Sequence, residues 1–202
     1  MSYRLAMGGA QEYFGFEGDI TAFGKFLSGG TTAAGAFGGR REIMELFDFG
    51  LHAEPVHHAG TFAANPLAAA AGIAGLEEMN PELLEHLNQL GALLKQGFIE
   101  AIFDRKIRGY VLGEGSLVLM GLGELSMDPR RAESPPAQKE ISRLLGLSLL
   151  VKGNFTPATG ALWSISAPMT RTHIKKTVDD LNGTLDYLME SVKSAAPELI
   201  VG

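Results

Sequence analysis

Glycine punctuates the first part of this chain more densely than a long helix or an extended sheet tolerates. Of the 26 glycines in 202 residues, many fall between Gly8 and Gly75, where they separate short apolar runs. A residue without a Cβ turns tightly and lets another backbone or a ligand come close, at an entropic cost that disfavours regular structure. Residues 1–66 therefore read as turns and short buried strands, for example Ala33 to Phe37, with a short helix from Arg41 to Phe47. The pattern changes at Asn65-Pro66. Proline suits the first helical turn because its missing N–H has no partner there. It opens an alanine-rich helix through about Met79, whose small residues Ala68 to Ala71, Gly72 and Gly75 suit close packing in a core.

The rest of the chain is patterned differently. Asn80-Pro81-Glu82 is a second helix start, with Asn80 as N-cap. Leu83, Leu87, Leu90, Leu94, Phe98 and Ile102 then recur at spacings of four and three, the signature of one amphipathic face. Gly113 to Leu122 reads as a strand after a glycine turn, and Met127 to Pro136 as a polar loop. Ile141, Leu145 and Leu149 mark another helix. Leu162 to Ala167 alternates, with Trp163, Ile165 and Ala167 on one side, and Pro168 ends that strand. A last helix carries Ile174, Val178, Leu181, Leu185, Leu188 and Val192. Strand, helix, strand, helix from about residue 105 predicts a small α/β domain appended to a larger one.

Composition narrows the function. The formal charge of −6 argues against a nucleic-acid binder, which usually carries a basic face. With no cysteine, disulfides, thiolate metal sites and cysteine nucleophiles are excluded. The N-terminal residues contain no apolar signal core, and no apolar run is long enough to span a bilayer, so a cytoplasmic protein with no membrane partner is expected. No G-x-G-x-x-G stands between a strand and a helix, which sets a dinucleotide site aside.

Two segments carry candidate chemistry. In Asp19 to Gly30 a single lysine, Lys25, sits among Phe23, Phe26 and Leu27, with Gly24 before it and Gly29-Gly30 after it. An apolar setting disfavours the charged ammonium, and a neutral amine is what Schiff-base formation requires. A solvated surface lysine fits the same residues. In His57 to Phe62, Gly60-Thr61 stands just before a helix and could give a backbone N–H and a hydroxyl to a phosphate. By residue type alone a turn or N-cap threonine is the commoner use of such a pair. The adjacent His57 and His58 do not normally face one metal, and no second ligand motif accompanies them.

Taken in order, GGAQEYFG (Gly8 to Gly15), DITAFGK (Asp19 to Lys25), GAFGGRREIM (Gly35 to Met44) and HAGTFAANPLAAAAG (His58 to Gly72) resemble the central block of class III aminotransferases, in the branch of the glutamate-1-semialdehyde aminomutases. The likeness continues more weakly through GEGSL near Gly113 to the strand bearing Ser164. It implies an α/β fold, part of the aspartate aminotransferase-like (fold type I) architecture of pyridoxal-phosphate enzymes. Residues 1–104 would be the C-terminal portion of the large cofactor domain with a linking helix, and 105–202 the small domain. It implies pyridoxal 5'-phosphate as cofactor and Lys25 as its Schiff-base and proton-transfer lysine. Thr61, with Gly60, would contact the cofactor phosphate, typically across a homodimer interface with shared active sites. The substrate would be an amino acid or amino aldehyde, in transamination or aminomutation.

Two departures accompany the resemblance. Where the family commonly has three glycines after the lysine turn, this chain has Ser28-Gly29-Gly30, and the stretch to the next glycine is one residue longer. The family's Asp-Glu-Val run, whose aspartate pairs with the cofactor ring nitrogen, would stand directly before Met1. The expectation is that Met1 is an internal methionine of a larger enzyme and that these 202 residues alone are inactive. The alternative is a non-catalytic, dimerising remnant of such an enzyme.

Overall fold

A computed structural model describes residues 3–30, 34–126, 134–155 and 161–201. The fold is α/β, as expected, and forms two compact units that divide between Leu84 and Glu85.

The first unit begins with a short helix, α1 (Gly9–Phe14), ended by Gly15 in the left-handed conformation at φ 66°. The Gln11 side chain ties this helix to the next strand, donating to Thr21 Oγ1 at 2.9 Å and accepting from the Gly18 N–H at 2.8 Å. Strand β1 (Ile20–Phe23) pairs antiparallel with β2 (Ala36–Gly39), Ile20 opposite Gly39 and Phe23 opposite Ala36. Asp19 and Arg40 close the hairpin end with an ion pair at 3.2 Å. A 3₁₀ turn, Lys25–Ser28, follows β1 directly. Helix α2 (Arg41–Met44) runs on into a second 3₁₀ turn, Glu45–Phe47. Helix α3 (Pro66–Glu78) starts where Asn65-Pro66 predicts, the Asn65 Oδ1 accepting from the Leu67 and Ala68 N–H groups at 2.9 and 3.1 Å.

The strands expected to be buried here are not. Ala36 to Gly39 replaces the anticipated Ala33 to Phe37, and the residues of β1 and β2 alternate only between exposed and half-buried. Just two strands pair, and Phe37 of β2 packs edge-on against Phe47 and His58. Helix α3 is likewise apolar on nearly every side yet buries only Ala68 and Gly72, leaving Leu67 and Ile73 in the open. Phe14, Phe49 and Phe62 are exposed in the same unit.

Helix α4 (Pro81–Asp104) contains the division between the units. Its Asn80 cap accepts from the Leu83 N–H at 2.7 Å. Of the predicted face, Leu87, Leu90, Leu94, Phe98 and Ile102 are all buried, while Leu83 is only half-buried and Leu84 is buried in its place. Three strands form an antiparallel sheet in the order β3-β4-β5: β3 (Gly109–Leu112), β4 (Leu117–Leu122) and β5 (Ala161–Ser164). The strand expected over Gly113 to Leu122 forms from Leu117 onward, and along it Val118, Met120 and Leu122 are buried. Of the strand expected over Leu162 to Ala167, Trp163 and Ile165 are buried, but pairing stops at Ser164 and Ala167 is exposed. Helix α5 (Pro136–Val151) contributes Ile141, Leu145 and Leu149, and α6 (Arg171–Ala195) contributes Ile174, Leu181, Leu185, Leu188 and Val192. Pro136 opens α5 rather than ending a loop; most of the polar stretch before it lies outside the described residues.

Polar ties hold the helices in register. Arg105, at the end of α4, reaches α6 through Nε to Asp186 at 2.7 Å and Nη1 to Asn182 at 2.7 Å. Asp180 joins α6 to the segment after α5, accepting from Lys176 at 2.5 Å and Asn154 at 2.6 Å. Burial pushes the Asp180 carboxyl up. The hydrogen bonds from Lys176 and Asn154 and the charges of Lys176 and Lys152 outweigh it and hold the group below the usual carboxylate range. A depressed folded-state value makes this contribution complete above the usual range and lost as pH falls through the depressed one. Asp180→Asn is therefore expected to cost about 1 kcal/mol at neutral pH. Urea unfolding of both proteins should show the gap narrowing as pH falls below the usual carboxylate range.

Candidate functional site

Lys25 is the first residue of its 3₁₀ turn and has φ 54°. That is the left-handed region, which a residue with a Cβ enters only at a cost of about 1–2 kcal/mol. Local geometry forces it there. Gly24 is fully extended, the Leu27 N–H returns to the Gly24 carbonyl at 3.3 Å, and Gly29 and Gly30 follow with φ 59° and 74°. The Ser28 hydroxyl, on a residue only 1% exposed, donates to the carbonyl of Lys25 at 3.1 Å.

The turn is seated on α3 backbone to backbone. A Cβ on Gly72 would collide with the Leu27 carbonyl oxygen, and one on Gly29 with the carbonyl of Ala71. A Cβ on Gly75 would come within 3.4 Å of the Phe26 ring and of the Gly29 Cα. Gly72→Ala is thus expected to push the lysine turn off the helix and destabilise the chain by about 2–3 kcal/mol, read from its thermal midpoint. Serine at the same position should be no better, because the collision is with a carbonyl and not with a movable side chain.

The apolar enclosure expected around Lys25 is not built by these residues: Lys25 is exposed. Phe26 turns toward α3 and meets Tyr3 edge-on at 6.2 Å, while Phe23 lies near Gly38 on the hairpin. Phe26 thus packs between the turn and α3, Phe23 stays with the hairpin, and the lysine is left exposed.

Gly60 and Thr61 stand in the turn that feeds α3. The Ala63 N–H bonds to the Gly60 carbonyl at 3.0 Å and the Asn65 N–H to that of Phe62 at 3.3 Å, with Ala64 left-handed at φ 53°. Both residues are exposed, and a Cβ on Gly60 would meet nothing within 4 Å. Asn65 takes the capping role, so the Thr61 hydroxyl is not spent on the helix end. Among the described residues no hydrogen bond or ion pair joins Lys25 to Gly60 or Thr61. What they share is α3, which follows one turn and carries the other. The neighbouring histidines are engaged with aromatic rings, His58 edge-on to Phe37 at 5.0 Å and His57 edge-on to Phe49 at 5.3 Å.

Sequence reasoning missed the two residues that shape these turns, Ser28 and Ala64. Neither the serine's burial nor the alanine's backbone sign has a signature in residue type. A cavity of about 430 Å³ in the other unit lies beside Arg108, Tyr110 and Gln138; Arg108 is paired with Glu124 at 2.9 Å.

The family model for class-III aminotransferases matches residues 7–133, which include both turns and all of α3. The chain belongs to the class-III aminotransferases. Among curated members, this class-III chain is 40% identical over 190 residues to a glutamate-1-semialdehyde 2,1-aminomutase of Alkaliphilus oremlandii, covering 92% of the chain and 42% of the relative. It is 36% identical over 191 residues to a protein of the same name from Thermus thermophilus, covering 91% and 42%. Among solved structures it is similar to an omega-transaminase from Sphaerobacter thermophilus, with a TM-score of 0.85 and 29% identity over 92% of this chain and 42% of that one. A beta-phenylalanine aminotransferase from Variovorax paradoxus gives 0.83 and 27%, over 94% and 43%. The described residues thus carry part of the transaminase α/β fold, and the chain spans about 42% of the length of the class-III relatives it matches. Among the described residues no helix is long and apolar enough to cross a membrane.

Proposed function

We propose that this chain carries the lysine-bearing part of a pyridoxal-phosphate-dependent aminotransferase or aminomutase of the glutamate-1-semialdehyde aminomutase type. The observation that carries the reading is Lys25, a long side chain held at a left-handed φ on an exposed turn that glycines seat against α3. Backbone strain of this kind persists where the surrounding structure over-determines it, and it clusters at functional sites.

The donor set suits the cofactor. Lys25 offers an amine, and the Gly60–Thr61 turn offers an exposed hydroxyl and open space for an anion. When bound, pyridoxal phosphate supplies an aldehyde for the amine and a conjugated ring that accepts an electron pair from the substrate carbon. The Lys25 amine would anchor the cofactor and move a proton at the substrate α-carbon. Thr61 would donate its hydroxyl to a phosphate oxygen, and the missing side chain of Gly60 would let the phosphate approach. The same proposal includes a homodimer with shared sites, an amino-acid or amino-aldehyde substrate, and a cytoplasmic location. It takes residues 1–104 as the lysine-bearing portion of the large domain and 105–202 as the small domain.

Because the chain spans under half of its relatives, we take these 202 residues alone to be inactive. Turnover of an amino donor by a purified sample of this length would overturn that. The cofactor reading is tested by incubation with pyridoxal phosphate, borohydride reduction and peptide mapping. One dominant adduct on Lys25 is expected. Labelling spread evenly over the exposed lysines would instead favour the non-catalytic, dimerising alternative.

A further inference from the structure

We infer that Ser28 is a positioning residue for Lys25, acting through the lysine's own backbone; the inference rests on the proposed cofactor role of Lys25. Three observations meet here. Lys25 has φ 54°, a conformation it would leave if nothing held it. The Ser28 hydroxyl donates to the Lys25 carbonyl at 3.1 Å, three residues along the same turn. Ser28 is 1% exposed, so water cannot replace that bond and a hydroxyl here is retained only if it is satisfied within the protein.

The packing explains why the bond bears on the lysine's direction. Leu27 and Gly29 lie against Gly72 and Ala71 of α3 through their backbones, so the C-terminal end of the turn is fixed. At the other end Gly24 is extended, and a Cβ built there would meet nothing closer than the Ala34 carbonyl oxygen at 4.0 Å. Lys25 is therefore the joint between strand β1, which ends at Phe23, and the segment seated on α3. The Ser28 hydroxyl is a side-chain contact that ties the Lys25 carbonyl to the segment seated on α3. Without it, rotation of φ to negative values redirects the Cα–Cβ bond and swings the amine away from its present heading. Removing the hydroxyl removes this preference and leaves the packing on α3 intact.

The test compares the 202-residue chain with Ser28→Ala. Residue-specific backbone scalar couplings of isotopically labelled protein report the Lys25 φ without any cofactor. Borohydride trapping with pyridoxal phosphate reports the share of adduct on Lys25 relative to the other lysines. The expected result is a Lys25 coupling that moves toward negative φ and a Lys25 share that falls about fivefold, at a temperature where both proteins are folded. An unchanged coupling and an unchanged share, with only a lower thermal midpoint, would make Ser28 merely structural and overturn the inference. A coupling that moves while the parent shows no preference for Lys25 keeps the backbone hold but overturns the cofactor role beneath it. If Ser28→Ala does not fold, Ser28→Cys fills the same space with a weaker donor and is read by the same two measurements.

Discussion

Replacing Lys25 with glycine is expected to abolish the borohydride-fixed pyridoxal-phosphate adduct on this turn and at the same time make the chain more stable. The two effects have separate causes. The adduct requires the side-chain amine, and no other lysine occupies the 3₁₀ turn after β1. The stability gain comes from the backbone, because glycine adopts φ 54° without the clash that a Cβ meets there. Relief of about 1–2 kcal/mol is offset in part by the greater freedom glycine gives the unfolded chain, leaving a gain of up to about 1 kcal/mol. Thermal or urea unfolding measures it. Lys25→Ala makes the contrast, since it also loses the amine but keeps the Cβ and should gain nothing. If glycine and alanine give equal stability, the left-handed lysine is not strained, and the argument from strain to function fails with it.

The largest effect on stability is expected at Phe98. Its side chain is fully buried on α4 and meets Trp163 of β5 edge-on, with ring centroids 4.6 Å apart. Phe98→Ala removes the ring and leaves a cavity between helix and sheet, at a cost of about 3–5 kcal/mol. Trp163 is the only tryptophan in the chain, so its emission reports on this contact directly. The variant should show a lower urea midpoint and red-shifted native emission. A loss below about 1 kcal/mol would mean that the core closes over the gap.

The second unit was largely legible because its helices bury one face against material contained in the same sequence. The spacing from Leu87 to Ile102 is set by a helix over a sheet, and both partners are present. Strand β3 escaped notice because Gly109 to Leu112 is short and mostly half-buried, without alternation. The first unit was legible in its punctuation and illegible in its burial. Asn65-Pro66 and Asn80-Pro81 mark helix starts by local chemistry alone, and both hold. Whether Ala36 to Gly39 is covered depends on what lies over the hairpin, which no local pattern encodes. The backbone sign of Lys25 was hidden for a related reason. The paired glycines after it announce a turn, but which residue of that turn goes left-handed depends on tertiary contacts such as Gly29 against Ala71 and Leu27 against Gly72, together with the buried Ser28 hydroxyl. Those tertiary contacts join positions more than forty residues apart. Lys25 and Thr61 were candidates by residue type and setting, the family resemblance implied their roles, and those roles await the trapping experiment.

The open apolar side chains of the first unit have a practical consequence at the bench. Phe14, Phe49, Phe62, Leu67 and Ile73 together offer the kind of surface that hydrophobic dyes and chaperones recognise, and that monomers seldom expose at this density. Concentrated samples of the isolated chain will stick to one another, and a cofactor titration on them will register self-association along with binding. Dilute protein, with light scattering followed at each addition, separates the two signals.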